Sequence, residues 1–83
     1  MEKLEILNLR DNKIFNIDIL ENVNFKELKE LNLSNNRISN IEILENANFK
    51  KLKKLKVDYN ISVIKVLEKL KFEKLEILDL VDF

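Results

Sequence analysis

The sequence predicts an α/β solenoid, in which units made of a strand, a bend and a short helical turn stack side by side. Two observations support this prediction. The 83-residue chain repeats itself at an interval of 24 residues, and within each unit the spacing of apolar residues changes from two to about three or four. Stacking such units aligns their strands into one parallel sheet and their helical turns into a second layer.

The repeat is clearest in the first two units. Segments 4–27 and 28–51 share 15 identical positions when they are aligned on their first leucines. A third unit, 52–74, is one residue shorter, and a truncated fourth unit occupies 75–83. We interpret residues 1–83 as one repeat domain in which the phrase EKLEIL, found at both ends, marks equivalent positions three units apart.

Each unit begins as a strand and continues as a helical turn. The alternation from Ile6 to Arg10 places Leu7 and Leu9 on one face of the strand and Ile6, Asn8 and Arg10 on the other. The apolar residues that follow have the spacing of a helical or 3-10 turn: Ile14, Ile17, Leu20, Val23 and Phe25.

The predicted core consists of columns of equivalent residues. No single unit can bury its own apolar face, so each must pack against its neighbours. The leucine column is Leu4, Leu28, Leu52 and Leu75, and the phenylalanine column is Phe25, Phe49 and Phe72.

The composition predicts how the chain turns. It contains no Gly and no Pro, where average usage gives about 6 and about 4 residues in a chain of this length. It contains 12 Asn, the residue that best replaces Gly because it tolerates the left-handed region and bonds its own backbone. Asparagine is therefore expected at the bends.

The pattern L-x-x-L-x-L-x-x-N-x-I runs from Leu4 to Ile14 and again from Leu28 to Ile38. It resembles the leucine-rich repeat family along the whole chain. The resemblance implies a right-handed coil with a parallel sheet on its concave face and short helical or 3-10 turns on its convex face. It also implies a structural ladder in which side-chain amides bond backbone groups that the bend leaves unpaired; its members are Asn12, Asn36 and Asn60.

Two units depart from this pattern. The third lacks a residue between Asn60 and Ile61 and has Val57 in place of a leucine. The fourth has Phe83 where the pattern requires asparagine.

Composition and charge exclude several classes of function. Without Cys or His there is no disulfide and no zinc site, and we expect no metal and no cofactor. Fifteen basic residues balance fifteen acidic ones, so the net charge gives no attraction to nucleic acid or to an anionic membrane. No apolar run has the length of a membrane span. We expect an intracellular, cytoplasmic protein that binds neither nucleic acid nor membrane.

The run KKLKKLK at 50–56 resembles a basic patch, but the register places acidic residues beside its lysines. Four cross-strand ion pairs are predicted: Glu5 with Lys29, Glu30 with Lys54, Lys53 with Glu76, and Lys56 with Asp79. A cation site formed by Asp58, Asp79 and Asp82 is the alternative to a solvated acidic face, and we favour the solvated face because no loop supplies further oxygen ligands.

Catalysis is not expected. The hydroxyl groups available as nucleophiles are Ser34, Ser39, Ser62 and Tyr59, all predicted on an open surface without His or Cys as a partner. An open surface does not exclude water or shift a pKa. The chain is therefore expected not to be an enzyme.

The favoured function is a protein-protein interaction module, a scaffold or adaptor that uses the concave face of the sheet. The partner-binding residues predicted from the register are Ile6, Asn8, Arg10, Asn32, Ser34, Lys56, Asp58 and Tyr59. Among the outward residues, Arg10, Tyr59, Ile6 and Ile77 have the chemistry of binding hot spots.

The alternative function is structural. The array has no terminal unit with a polar outer face, so it is expected either to be part of a longer array or to form homo-oligomers end to end. The residues predicted to make such contacts are Leu78, Leu80 and Phe83.

Overall fold

The computed structural model describes residues 3–21, 25–45, 49–59, 64–65 and 74–81. Its strands are β1 (Ile6–Asn8), β2 (Glu30–Asn32), β3 (Lys54–Asp58) and β4 (Ile77–Val81). Two 3-10 helices, Asp18–Glu21 and Ile41–Glu45, follow β1 and β2. The strands form one parallel sheet in the order β1-β2-β3-β4. The coarse prediction of a parallel sheet with short helical turns is confirmed.

The strands pair at the interval of the sequence repeat. Leu7 lies opposite Leu31, Leu31 opposite Leu55, and Leu55 opposite Leu78. The offsets are 24, 24 and 23 residues, and the shorter one falls on the unit that lacks a residue. Equivalent residues therefore stand side by side across all four strands.

The first strand ends earlier than the predicted boundary at Arg10. The side-chain oxygen of Asn8 accepts a hydrogen bond from the Arg10 amide (3.0 Å), and this local bond turns the chain. The backbone then enters the left-handed region at Asp11 (φ 60°), and it does so again at Asn35 (φ 56°) in the second unit. Short polar side chains thus replace glycine at these bends, with aspartate sharing the role expected of asparagine.

The described members of the predicted columns lie in the core or pack against it. Leu28 and Leu52 are fully buried, whereas Leu4 and Leu75 are partly buried and pack against the core. The rings of Phe25 and Phe49 stack with centroids 5.7 Å apart and an interplanar angle of 11°. Phe72 and Val23, predicted to continue this packing, lie outside the described residues.

The first two members of the predicted asparagine ladder bond the backbone as expected. Asn36 is 8% exposed, and its amide nitrogen donates to the carbonyl oxygens of Leu9, Leu33 and Ser34 at 2.9 to 3.1 Å. Its oxygen accepts from the Ile14 amide at 3.1 Å, so Asn36 joins the second unit to the first. Asn12 is exposed and donates to the carbonyls of Leu9 and Arg10. Asn60 lies outside the described residues.

A second asparagine column was not predicted. The side-chain oxygen of Asn16 accepts from the Asp18 amide (2.8 Å) at the start of the first 3-10 helix. In the next unit Asn40 accepts from the Ile17 amide (3.0 Å) and donates to the Asp18 carboxylate (2.7 Å). The signal is visible in the sequence, because an asparagine follows each of the first two ladder asparagines after four residues.

Candidate protein-binding surface

One face of the sheet remains uncovered and presents three rows of side chains. We call this surface the open sheet face. Its rows are Glu5, Lys29, Lys53 and Glu76; Ile6, Glu30, Lys54 and Ile77; and Asn8, Asn32, Lys56 and Asp79. Two shallow depressions of about 350 and 230 Å³ lie across these rows. The period of two explains the second and third rows, since the leucines between them lie on the core side of the sheet, and the first row immediately precedes the second along the chain.

Two of the four predicted cross-strand ion pairs are present. The ammonium group of Lys29 lies 2.9 Å from a carboxylate oxygen of Glu5, and that of Lys56 lies 3.7 Å from Asp79. The hydrogen bond from Lys29, together with its positive charge, lowers the pKa of Glu5, and the same bond raises the pKa of Lys29. These exposed pairs neutralise parts of the surface and contribute little to stability.

The other two predicted pairs are in register but not in contact. Glu30 lies directly opposite Lys54, and the backbone amide of Glu76 bonds the carbonyl of Lys53. Within the described part of the chain, none of these four side chains forms an ion pair within 4.0 Å. The prediction of direct pairing is therefore wrong for them, because register brings backbones together while long exposed side chains remain solvated. Their charges stay available at the centre of the surface.

Large apolar side chains stand at both ends of the middle row. Ile6 is 60% exposed and Ile77 is 51% exposed. Tyr59, just beyond the end of β3, is 55% exposed, and its backbone amide bonds the Val81 carbonyl at 2.7 Å. Arg10 is exposed and pairs with the adjacent Asp11 at 3.3 Å. The structure thus leaves all four of the predicted anchor residues accessible.

Ser34 is not an accessible surface residue. It is 1% exposed, and its hydroxyl donates to the side-chain oxygen of Asn32 at 2.6 Å. The same oxygen accepts from the Ser34 amide, so Asn32 is occupied in forming the bend. The prediction of Ser34 as an exposed residue is wrong. Alternation along the strand predicts on which face a side chain lies, but the short Ser34 side chain beside the bend is covered by its neighbours.

Asp58 has a local structural role that the sequence reading missed. Its carboxylate accepts hydrogen bonds from the backbone amides of Asn35 (2.7 Å) and Asn36 (3.1 Å) in the preceding unit. These amides belong to the bend where Asn35 adopts a positive φ. The sequence contained a signal for this role, because Asp58 is an acidic residue at the position equivalent to Ser34. From this position its carboxylate reaches the bend of the neighbouring unit. Asp58 is therefore half-buried and already bonded, as Lys56 is to Asp79.

In the fourth strand, one leucine at a core-facing position is exposed. Leu78 is 42% exposed, although its equivalents Leu31 and Leu55 are buried. Leu80 is partly buried and packs against the core. Phe83, the third residue predicted for end contacts, lies outside the described residues. Among the described strands, β4 pairs only with β3, and β1 only with β2.

Two exposed apolar residues lie away from the open sheet face and were not predicted as surface features. Phe15 is 66% exposed and Ile19 is 70% exposed. Both belong to the connection between β1 and β2. The equivalent of Ile19 in the second unit is also an isoleucine, Ile43, so the repeat gave no signal there, but the equivalent of Phe15 is Ser39. This single difference between units was the signal for a surface residue.

The comparisons leave the family open. No protein-family model matches the chain, and neither the search of curated proteins nor the search of solved structures finds a match. Among the residues that the structure describes, no helix has the length and apolar character to cross a membrane.

Proposed function

We propose that the chain is a leucine-rich repeat module, a right-handed α/β solenoid, that binds another protein through the open sheet face and has no catalytic activity. The register of 24, 24 and 23 residues supports the solenoid. The bonds from Asn36 to three carbonyls at the bend also support it, since the family pattern assigns this role to the ladder asparagine.

The observation that favours binding is the arrangement of the middle row. Ile6 and Ile77 are more than half exposed at its two ends, and the unpaired Glu30 and Lys54 lie between them. Apolar anchors with charged groups between them are typical of surfaces that recognise proteins. Adjacent strands are about 4.8 Å apart, so the two isoleucines are separated by about 14 Å across the sheet.

This arrangement defines the chemistry of the partner. A complementary protein surface has two apolar groups about 14 Å apart, with a basic group opposite Glu30 and an acidic group opposite Lys54. Because four strands of the described part of the chain contribute to the face, we expect a small contact area and modest affinity. Arg10 and Tyr59 extend the face beyond the ends of their strands.

The second candidate function is self-association. Leu78 exposes 42% of its surface, and within the described sheet the outer side of β4 pairs with no strand. An unpaired strand beside an exposed leucine is a site for contact with another copy. In this alternative the chain is an assembly element that joins copies end to end, and the open sheet face has no partner.

One experiment separates these functions. A tagged chain carrying Ile6→Ala and Ile77→Ala is used to capture proteins from a lysate of the source cells, beside the unmodified chain and Leu78→Lys. We expect the double variant to lose a specific partner by about tenfold, because both anchors of the open sheet face are removed. The control is Ile19→Ala, which removes an exposed isoleucine from outside that face.

Light scattering on the same variants completes the test. If the double variant captures every protein as well as the unmodified chain, the binding proposal is wrong. If the unmodified chain grows in mass with concentration and Leu78→Lys abolishes that growth, self-association is the function. Circular dichroism of each variant confirms that it is folded before either result is interpreted.

A further inference from the structure

A second surface, separate from the open sheet face, lies where the chain bends after β1 and β2. It is an open groove of about 950 Å³, which we call the bend groove. Its lining includes Phe15, Lys13 and Asp11 from the first unit and Arg37 and Asn35 from the second. Successive units thus build the groove side by side, and it extends across the boundary between them.

The backbone of the groove is held firmly while the Phe15 ring is not used in packing. The Phe15 carbonyl accepts two hydrogen bonds from Ser39, one from the amide and one from the hydroxyl, each at 2.9 Å. The Arg37 amide bonds the Ile14 carbonyl at 3.0 Å. The ring of Phe15 nevertheless remains 66% exposed. Because the backbone is already ordered, binding restricts only the two side-chain torsions of the ring.

The repeat itself indicates that Phe15 is not needed for the fold. The equivalent residue in the second unit is Ser39, and that unit forms its strand, bend and 3-10 helix with a serine there. An exposed phenylalanine that the stack does not require is a strong candidate for a contact residue, because aromatic side chains contribute a large apolar area when an interface covers them.

The charges of the groove favour a negative partner. Lys13 and Arg37 occupy equivalent positions in neighbouring units, and neither forms an ion pair with a described residue. The acidic member, Asp11, is already occupied by Arg10 and by the side-chain amide of Asn35. Two cations without an ion pair to any described residue therefore line the same groove as an exposed aromatic ring.

We propose that the bend groove binds an acidic segment of a protein that places an apolar side chain against Phe15 and carboxylates near Lys13 and Arg37. The apolar contact supplies affinity, and the two cations select negative charge and orientation. Arginine adds a planar group that bonds a carboxylate through two N–H donors. This inference concerns a different surface from the proposed function and does not depend on it.

The test uses the whole chain and a short fluorescein-labelled peptide in which glutamate and leucine alternate, with binding measured by fluorescence anisotropy. The comparison peptide has glutamine in place of each glutamate. We expect the acidic peptide to bind and the neutral one to bind at least about tenfold more weakly. Phe15→Ala and the pair Lys13→Glu with Arg37→Glu are each expected to weaken the acidic peptide by about tenfold.

Matched controls identify the site. Ile19→Ala removes an exposed apolar residue outside the groove, and Lys26→Glu reverses an exposed lysine elsewhere; both are expected to leave binding unchanged. Several results would overturn the inference. One is that the acidic peptide does not bind at concentrations up to about 1 mM, and another is that the glutamine peptide binds equally well. A third is that Ile6→Ala abolishes binding while Phe15→Ala does not. A fourth is that the chain binds a single-stranded oligonucleotide but not the peptide.

Discussion

Replacing Phe25 with alanine is expected to lower the free energy of unfolding by about 3 to 5 kcal/mol, the largest effect of any single substitution proposed for this chain. Phe25 is 1% exposed and stacks against Phe49 at 5.7 Å. The substitution removes buried apolar area, leaves a cavity between two units and abolishes the ring contact. A domain of this length has a total stability of about 4 to 12 kcal/mol, so much of it is lost.

The chain contains its own control for this substitution. Phe15→Ala makes the same chemical change at a site that is 66% exposed, and it is expected to change stability by less than about 0.5 kcal/mol. Urea unfolding followed by circular dichroism gives both values. Similar losses for the two variants would show that the ring of Phe25 is not buried between units, and the account of the core would fail.

Asn36→Ala is expected to lower the free energy of unfolding by about 2 to 4 kcal/mol. The Asn36 side chain satisfies three carbonyls and one amide at a bend that is largely closed to water. Alanine removes the partner of the Leu33 carbonyl and of the Ile14 amide, whereas the Leu9 and Ser34 carbonyls keep bonds from Asn12 and from the Asp11 amide. A buried unsatisfied group is more costly than a hydrogen bond is favourable. The effect therefore exceeds that of removing a typical hydrogen bond.

The matched control is Asn12→Ala, which removes the equivalent residue of the first unit. Asn12 is exposed and bonds only carbonyls of its own unit, so water replaces the lost contacts. Its expected loss is about 1 kcal/mol or less. The midpoints of urea unfolding for the two variants measure the difference. Equal midpoints would mean that position 36 does not bond across the unit boundary.

The repeat predicted the parts of the fold that depend on apolar spacing. Alignment of Leu7, Leu31, Leu55 and Leu78 follows from the repeat period, and a shift of one residue would expose a column of leucines. The shorter third offset also followed from the sequence. The 3-10 helices occur where the spacing changes, with Leu20 and Leu44 buried at equivalent positions.

The details of the bends were less predictable, because they depend on single polar side chains. Arg10, Ser34 and Asp58 occupy equivalent positions in three units, but their side chains differ in charge and length. Arg10 is exposed, Ser34 is buried, and Asp58 bonds the preceding bend. The alternation along each strand predicts only that all three side chains lie on the face opposite the core. Their burial depends on side-chain length and on which backbone amides the neighbouring unit leaves free.

On the candidate surfaces, too, positions that repeat were predicted and individual side-chain contacts were not. The positions of Ile6 and Ile77 on the open sheet face were predicted from the register, and both are exposed. The ion pairs were predicted correctly for only part of the surface, because exposed charged side chains have several solvated conformations of similar energy. Phe15 was not predicted, because the repeat identifies positions that recur in each unit, whereas a phenylalanine at this position does not recur in the second unit.

Both surfaces depend on the stacking of the units in one register. NMR measurement of scalar couplings across backbone hydrogen bonds tests this stacking. We expect couplings from the Leu9 amide to the Asn32 carbonyl, from Leu33 to Lys56 and from Tyr59 to Val81, whose nitrogen and oxygen atoms are 2.7 to 2.8 Å apart. Couplings that join residues shifted along the strands, or an antiparallel pattern, would show that the units do not stack in this register.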